Sequence, residues 1–384
     1  MERPRPLADL TVFEFGHSVA APYAGLILAD LGARVIKIEN PDGGDYARGW
    51  GPPFWREDAS IFHSLNRGKE SISVDFSDPK ACDALRRRIL AEGDAVIQNL
   101  RVGVLAKRGI DPQLLLAEKP ELVWCDIGAF GPGPLSAKPG YDPLMQAFAG
   151  VMSVTGEGAR PPVRVGVSIM DMGAGMWSVI GMLAALIAKA STGRGGLVGT
   201  SLYETGISWM TAQLAGYCAS GEVRKPYGSG AAEIVPYQAF STRDGWLMVA
   251  AGNDNLFRRL CGAIDRVDLA ADARYADNAG RVANRVALVA EIAAAAETHT
   301  VASLAAKLDE AGVPNAPIQT VDEVVAHPQT QALGMLEPVD GDTLPLAGIP
   351  VSFDGARPRC SGRAPALGEH NSKGKPNKER GHAQ

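Results

Sequence analysis

One carboxylate stands out by its setting. Asp171 closes the run Pro162-Val163-Arg164-Val165-Gly166-Val167-Ser168-Ile169-Met170-Asp171, and Met172-Gly173-Ala174-Gly175 follows it. Apolar neighbours desolvate a carboxylate, which raises its pKa and strips away the water that blunts it as a nucleophile. Glycines beside it would let a bulky acyl group approach the backbone and would leave N–H groups for a developing oxyanion. The plainer alternative is an N-cap, an aspartate opening an apolar helix over 172–190.

Cations recur in the first half. Asn66-Arg67-Gly68-Lys69 sets two around a glycine, Lys107 and Arg108 follow Asn99-Leu100-Arg101, and Lys138 precedes Gly140-Tyr141-Asp142. These loops follow predicted strands, where α/β sheets bind their ligands. Singly, each cluster reads as a solvated face; together they suit a ligand with several phosphates.

The elements that must position these groups alternate. Residues 10–15, 34–39, 95–98 and 122–127 read as strands, and 20–31 and 79–91 as helices. That order implies a mainly parallel sheet wound like a dinucleotide-binding fold. The glycine fingerprint G-x-G-x-x-G is missing after the first strand, where Gly16-His17-Ser18-Val19-Ala20-Ala21 stands instead. Residues 41–60, rich in Gly, Pro and Trp, read as a loop over a site, and 128–139 as a second loop. The apolar helix should stop at Thr192-Gly193-Arg194-Gly195-Gly196. Residues 223–235 read as a crossing linker.

A smaller α/β domain is expected beyond it. Strands at 237–242 and 246–251 flank Arg243-Asp244-Gly245, a hairpin signal, and helices follow at 287–297 and 301–311. We therefore expect a large domain over 1–222, a small one over 223–325, a return to the large domain over 326–370, and a disordered tail over 371–384.

Composition narrows the function classes. The 384 residues are 46% hydrophobic and 21% charged, with a net charge of −5. No long basic run precedes the C-terminus, so neither nucleic acid nor an anionic membrane is an expected partner. Cys82, Cys125, Cys218, Cys261 and Cys360 are scattered and odd in number, without zinc or disulfide spacing. No metal is expected, and free thiols together with an N-terminus lacking an apolar signal core point to the cytoplasm. The apolar region around 176–190 carries Lys189 and two glycines and reads as a buried helix rather than a membrane span.

Taken in order, the motifs resemble the class III coenzyme A transferases, the family of formyl-CoA and carnitine-CoA transferases. The resemblance runs from about Leu7 to His370. It is carried by Leu28-Ala29-Asp30-Leu31-Gly32-Ala33-Arg34-Val35-Ile36-Lys37-Ile38-Glu39, Gly44-Asp45 with Arg48, and Asn66-Arg67-Gly68-Lys69-Glu70-Ser71-Ile72. Gly140-Tyr141-Asp142, the Asp171 run, Thr192-Gly193-Arg194-Gly195 and Leu367-Gly368-Glu369-His370 complete it. The family's nucleophile matches Asp171, and a carboxyl group near its reacting centre matches Asp142. The resemblance implies that His17, Ser18, Ala20, Val74, Ser77, Asn99, Leu100, Lys107 and Lys138 contact coenzyme A. It also implies a homodimer of two interlocked ring-like chains, with coenzyme A as co-substrate and no further cofactor.

Ile234-Val235-Pro236-Tyr237-Gln238-Ala239-Phe240, with Trp50-Gly51-Pro52-Pro53-Phe54, looks most like members that use succinyl-CoA and other dicarboxylates. Such a substrate needs a cation for its remote carboxylate, and Arg48, Arg67 and Arg164 are the candidates. Val19 stands where the oxalate-directed member has a glutamine, so oxalate is not the expected acceptor.

Three rivals remain. The α-methylacyl-CoA racemases share this fold but place a histidine before the aspartate matching Asp142, where this chain has Tyr141, a poor base at neutral pH. A serine hydrolase would use Gly16-His17-Ser18-Val19-Ala20 as a nucleophile elbow, although Ala20 replaces its second glycine. A non-catalytic CoA-binding protein would have no use for Asp171.

Overall fold

The computed structural model describes residues 3–158 and 160–371. Its chain divides into two compact units. One holds the described residues up to Val151, Arg164–Gly221 and those from Gln329 on; the other holds Met152–Val163 and Glu222–Pro328. The first segment of the large unit is therefore not continuous to 222. Twelve residues leave it at Met152 and return at Arg164. The supposed linker 223–235 meets this excursion through the isolated bridge between Glu157 and Tyr227.

In the large unit the strands are β1 (Thr11–Phe15), β2 (Arg34–Glu39), the two-residue pair β3 (Phe54–Trp55) and β4 (Asp58–Ala59), β5 (Glu70–Ser73), β6 (Ala95–Gln98), β7 (Val123–Gly128) and β8 (Gly196–Ser201). Six of them form a wholly parallel sheet in the order β5-β2-β1-β6-β7-β8. Side chains alternate across it. Val12, Val35, Ile97 and Cys125 enter a core on one face, while Phe13, Ile36, Val96 and Trp124 enter a core on the other. A sheet buried on both faces explains why these strands read as unbroken apolar runs.

β1 has β2 on one side and β6 on the other, so the winding reverses direction between β1 and β6. Parallel α/β sheets open a crevice at such a switch, beyond the carboxyl ends of the strands. The turns after β1 and β6 hold Gly16-His17-Ser18 and Asn99-Leu100.

The apolar helix spans Ile169–Thr192, three residues earlier than expected, and Ser168 rather than Asp171 occupies its N-cap position. It feeds β8, which is parallel to β7, so its first turn lies at the same carboxyl edge of the sheet. The expectation of a buried helix holds for one face only. Met170, Ala174, Val179 and Met182 are buried, but Met176, Trp177, Ile180 and Ile187 are exposed.

The small unit builds a three-stranded antiparallel sheet from β9 (Tyr237–Ser241), β10 (Trp246–Ala250) and β11 (Asn315–Pro317). Helices Arg285–Ala296 and Val301–Glu310 join its core. Back in the large unit, the short pair β12 (Leu336–Glu337) and β13 (Leu346–Ala347) precedes a final segment that binds the edge strand β5. His370 donates its N–H to the Ser71 carbonyl at 2.9 Å, and the Asn371 side chain exchanges hydrogen bonds with Ser73. Asn371, placed at the start of a disordered tail, is thus tied to the sheet. The rest of that predicted tail, 372–384, lies outside the described residues.

Candidate active site

Asp171 occupies the first turn of the Ile169–Thr192 helix, half-buried at the carboxyl edge of the sheet. Burial, with the neighbouring Asp142 carboxylate adding to it, pushes its pKa up to about 7. It is therefore a carboxylate that ionises near neutrality, more basic and less solvated than a surface aspartate.

Asp142 does something the sequence did not reveal. Only 3% exposed, it opens the helix Asp142–Phe148. Its Oδ2 accepts the Met170 N–H at 2.7 Å and the Asp171 N–H at 3.4 Å. The Ile169–Thr192 helix is thus capped by a side chain from another helix, 28 residues earlier in the chain. That is why it begins at Ile169, and why an N-cap role for Asp171 is overturned.

The glycines also have a different task from the one expected. Gly173 and Gly175 are helical and buried. A Cβ on Gly173 would lie 2.3 Å from the Trp209 ring, and one on Gly175 would lie 2.7 Å from the Ala20 carbonyl oxygen. They allow close helix packing; they do not clear room for an acyl group. The Gly175 contact brings the Ile169–Thr192 helix against the start of the Ala20–Asp30 helix, one turn after Asp171. Asp171 is thereby placed beside the turn after β1.

That turn is held from several sides. Ser18 adopts φ 70°, a left-handed conformation unusual for serine. Its N–H is taken by Asp45 Oδ1 at 2.8 Å, and the same oxygen accepts the Ala47 N–H at 2.9 Å. Asp45 Oδ2 pairs with Lys37 Nζ at 2.8 Å, and Lys37 also donates to the Gly16 carbonyl and to Glu14. Burial opposes the Lys37 charge, but Asp45, Glu14 and Glu39 outweigh it and raise its pKa. Lys69, buried and pairing with Glu14, is pushed down to about 8.

Asn99 closes the turn from the β6 side, accepting the His17 N–H at 3.1 Å and donating to the His17 carbonyl at 2.9 Å. The Leu100 N–H reaches Gln98 Oε1 at 2.7 Å. His17 is kept below the usual histidine pKa by burial, with Lys37 adding to that effect and Asp45 opposing it. Its neutral ring lies 4.9 Å from the Tyr46 ring and 3.1 Å from the Ser18 hydroxyl. Ala20 is buried, and its carbonyl faces Gly175. Among the described residues no side chain caps the Ala20–Asp30 helix; Pro22 has no N–H and the Tyr23 N–H goes to the Val19 carbonyl at 2.7 Å, so the Ala20 and Ala21 N–H groups are the ones left for an anion.

Ser77 and Lys107 meet in a cleft of about 250 Å³, also lined by Phe76, Cys82, Arg86 and Arg108. Val74 is buried just before this loop. Lys138 holds its ammonium 5.5 Å from the Phe130 ring centre, in the loop leading to Asp142.

The three arginines separate. Arg48 is 8% exposed, bonded to Glu39 and Asp58 and stacked 3.8 Å over Phe62. Arg67 is fully buried and reaches Asp30 at 2.5 Å. Both are committed to internal carboxylates, so neither can hold a substrate's remote carboxylate, and those two assignments are corrected. Arg164 is exposed, with only long contacts of 3.4 and 3.5 Å to nearby carbonyls.

With this geometry in hand, comparison with known proteins is decisive. The profile of CoA-transferase family III matches residues 7–371. The chain belongs to this family. It is 37% identical over 380 residues to the succinate–glutarate CoA-transferase of Agrobacterium fabrum, covering 96% of this chain and 95% of that one. It is 31% identical to the human succinyl-CoA:glutarate CoA-transferase, covering 97% and 86%. The crystal structure of a CAIB/BAIF family protein from Brucella suis superposes with a TM-score of 0.87 at 39% identity, covering 96% and 98%. The protein is therefore a class III CoA-transferase, an α/β enzyme built on a parallel sheet.

Sequence reasoning missed Asp45, Gln98 and Gln146, whose side-chain amide donates to Asp142 Oδ1 at 2.6 Å, as site-building residues. Gly44-Asp45 ahead of a tight turn was a usable signal for an aspartate that accepts backbone N–H groups. Gln98 and Gln146 carried none. Among the described residues no group of three or more His, Cys, Asp or Glu side chains could hold a metal ion.

Proposed function

We propose that this CoA-transferase moves coenzyme A from succinyl-CoA, or a similar dicarboxyl-CoA, to a carboxylic acid, with Asp171 as covalent nucleophile. The observation that carries the reading is Asp171 itself: half-buried, ionising near pH 7, and set one turn from the contact with Ala20. The named relatives act on succinyl-CoA or glutarate, which supports a dicarboxylate.

The Asp171 carboxylate attacks the donor thioester carbonyl, and the carbon–sulfur bond breaks. A mixed anhydride and a CoA thiolate result. The thiolate attacks the Asp171 carbonyl and expels the donor acid as its carboxylate, leaving an aspartyl-CoA thioester. The acceptor carboxylate then attacks that thioester and releases the thiolate. The thiolate finally attacks the acceptor's acyl carbon and frees Asp171. Each step exchanges one activated acyl bond for another, so the chain's task is to hold these species away from water.

In this reading the turn at His17, Ser18 and Ala20, with Asn99 and Leu100, receives the pantetheine arm. Val74, Ser77 and Lys107 take the nucleotide end, and Lys138 adds a cation near Asp142. Arg164 is the remaining candidate for the distal carboxylate. The hydrolase alternative finds little support: Asp45, which accepts the Ser18 N–H, spends its oxygens on Lys37 and on backbone N–H groups.

We also infer an interlocked homodimer in the cytoplasm. The stripe Trp177, Ile180, Ala184 and Ile187 on one helix face is exposed in the single chain, and a second copy is the occupant this apolar surface fits.

The test is to incubate the enzyme with succinyl-CoA and a panel of acids, oxalate included, and identify new CoA esters by mass. Wild type should form esters of C4–C6 acids, while Asp171→Asn forms none yet still binds CoA. Transfer by Asp171→Asn at the wild-type rate would remove the covalent role.

A further inference from the structure

Gln146 sits one turn after Asp142 on the same helix, and its side chain is fully buried. A buried amide must satisfy both its N–H and its carbonyl, so its partners are informative. Nε2 donates to Asp142 Oδ1 at 2.6 Å. Oε1 accepts the Val165 N–H at 2.8 Å, and Nε2 also lies 3.4 Å from the Val165 carbonyl. The amide thus lies along Val165 much as a neighbouring strand would.

Val165 is the second residue after the chain re-enters the large unit at Arg164. Four residues separate it from Met170, whose N–H is taken by the other oxygen of Asp142. One side chain therefore fixes both ends of the short lead-in to the nucleophile helix. It holds the incoming backbone at Val165 directly, and through Asp142 it holds the helix N-terminus that carries Asp171. Asp142 can accept from Met170 in this direction because Gln146 occupies its other oxygen.

We infer that Gln146 is a positioning residue for the nucleophile, acting through Asp142 to set where the Asp171 carboxylate stands relative to the thioester. This deepens the proposed mechanism and rests on Asp171 being the attacking group. Displacement of a reacting atom by about 1 Å can cost on the order of a hundredfold in rate without altering the affinity for parts of the substrate bound elsewhere. Gln146 lies in the Asp142 cluster, and the groups assigned to coenzyme A stand on other turns. Its loss should therefore appear in kcat rather than in KM.

The experiment compares wild type, Gln146→Met, Gln146→Glu, Asp142→Ala and the pair Gln146→Met/Asp142→Ala in succinyl-CoA-dependent transfer. CoA binding by calorimetry counts the competent sites of each. Gln146→Met keeps the length and loses both bonds, while Gln146→Glu keeps an acceptor for Val165 but cannot, when ionised, donate to Asp142. The expected result is a kcat reduced about 10–100-fold in each Gln146 variant, with KM for the acyl-CoA within about threefold. In the Asp142→Ala background the Gln146→Met change should cost clearly less than it does alone, because the route through Asp142 is already gone and only the bond to Val165 is left to lose.

Wild-type kcat in the Gln146 variants, a rise confined to KM, or fully additive losses with Asp142→Ala would each overturn the inference. If one Gln146 variant yields no folded protein, the other decides by the same comparison. Asp171→Asn run alongside separates the two claims. If it retains transfer, the covalent reading fails; if it is inactive while the Gln146 variants keep wild-type kcat, only the positioning role fails.

Discussion

At the scale of single residues, the site turns on two carboxylates sharing one helix end. Asp142 spends both oxygens on hydrogen bonds, and Asp171 bears the repulsion and the burial. Its pKa of about 7 has two consequences of definite sign. On the proposed covalent route attack needs the carboxylate, so kcat/KM should rise about tenfold per pH unit below 7 and level off above it. A profile already flat between pH 5 and 8 would show that Asp171 is ionised throughout. Folding should respond the opposite way. Between the unfolded value of about 4 and the folded value near 7 the native state binds the extra proton, so wild-type stability falls as pH rises through that window. Asp171→Asn lacks this titration. Its advantage in urea unfolding should grow from pH 4 to pH 7, reach about 2–4 kcal/mol and then stay constant.

The desolvation of Asp171 was legible in its run of apolar neighbours, and the rest of its setting was not. Arg48 and Arg67 look like free cations in the sequence because Asp30, Glu39 and Asp58 meet them only in the fold. Burial with a partner is a tertiary property, and local composition does not encode it.

At the scale of elements, the strands could be read because β-branched and apolar runs of the right length leave few alternatives. β1, β2, β6 and β7 fall within a residue of their expected places. The start of the Ile169–Thr192 helix could not be read, since the side chain that caps it belongs to a helix distant in sequence. Nor could the role of its glycines, which depends on what lies opposite. Gly175 makes that role testable. A side chain there would press on the Ala20 carbonyl. Gly175→Val should cost about 1–3 kcal/mol in denaturant unfolding and weaken CoA binding, as the Ala20–Asp30 helix is pushed away. Unchanged stability and CoA affinity would show that the helices do not need this close approach.

At the scale of the whole molecule, the chain leaves the large unit twice, at Met152–Val163 and at Glu222–Pro328. Residues 223–325 change texture enough to announce a new domain. The excursion Met152–Val163 is twelve residues, too short for its glycines and prolines to announce more than a loop, and it is assigned by its packing. The exposed stripe on the Ile169–Thr192 helix likewise reads from sequence as core, because apolarity does not say whether the cover comes from the same chain or another. If a second copy covers it, wild type should sediment as a dimer, and Ile180→Glu should yield monomer or soluble aggregate with lower transfer activity. A wild-type monomer with full activity would exclude the dimer.

The most direct measurement is the mass of the enzyme during turnover. Hydroxylamine added to wild type with succinyl-CoA should convert Asp171 to its hydroxamate, a change peptide mapping places at one residue, and Asp171→Asn should show none. Undiminished transfer without any adduct at Asp171 would contradict the account.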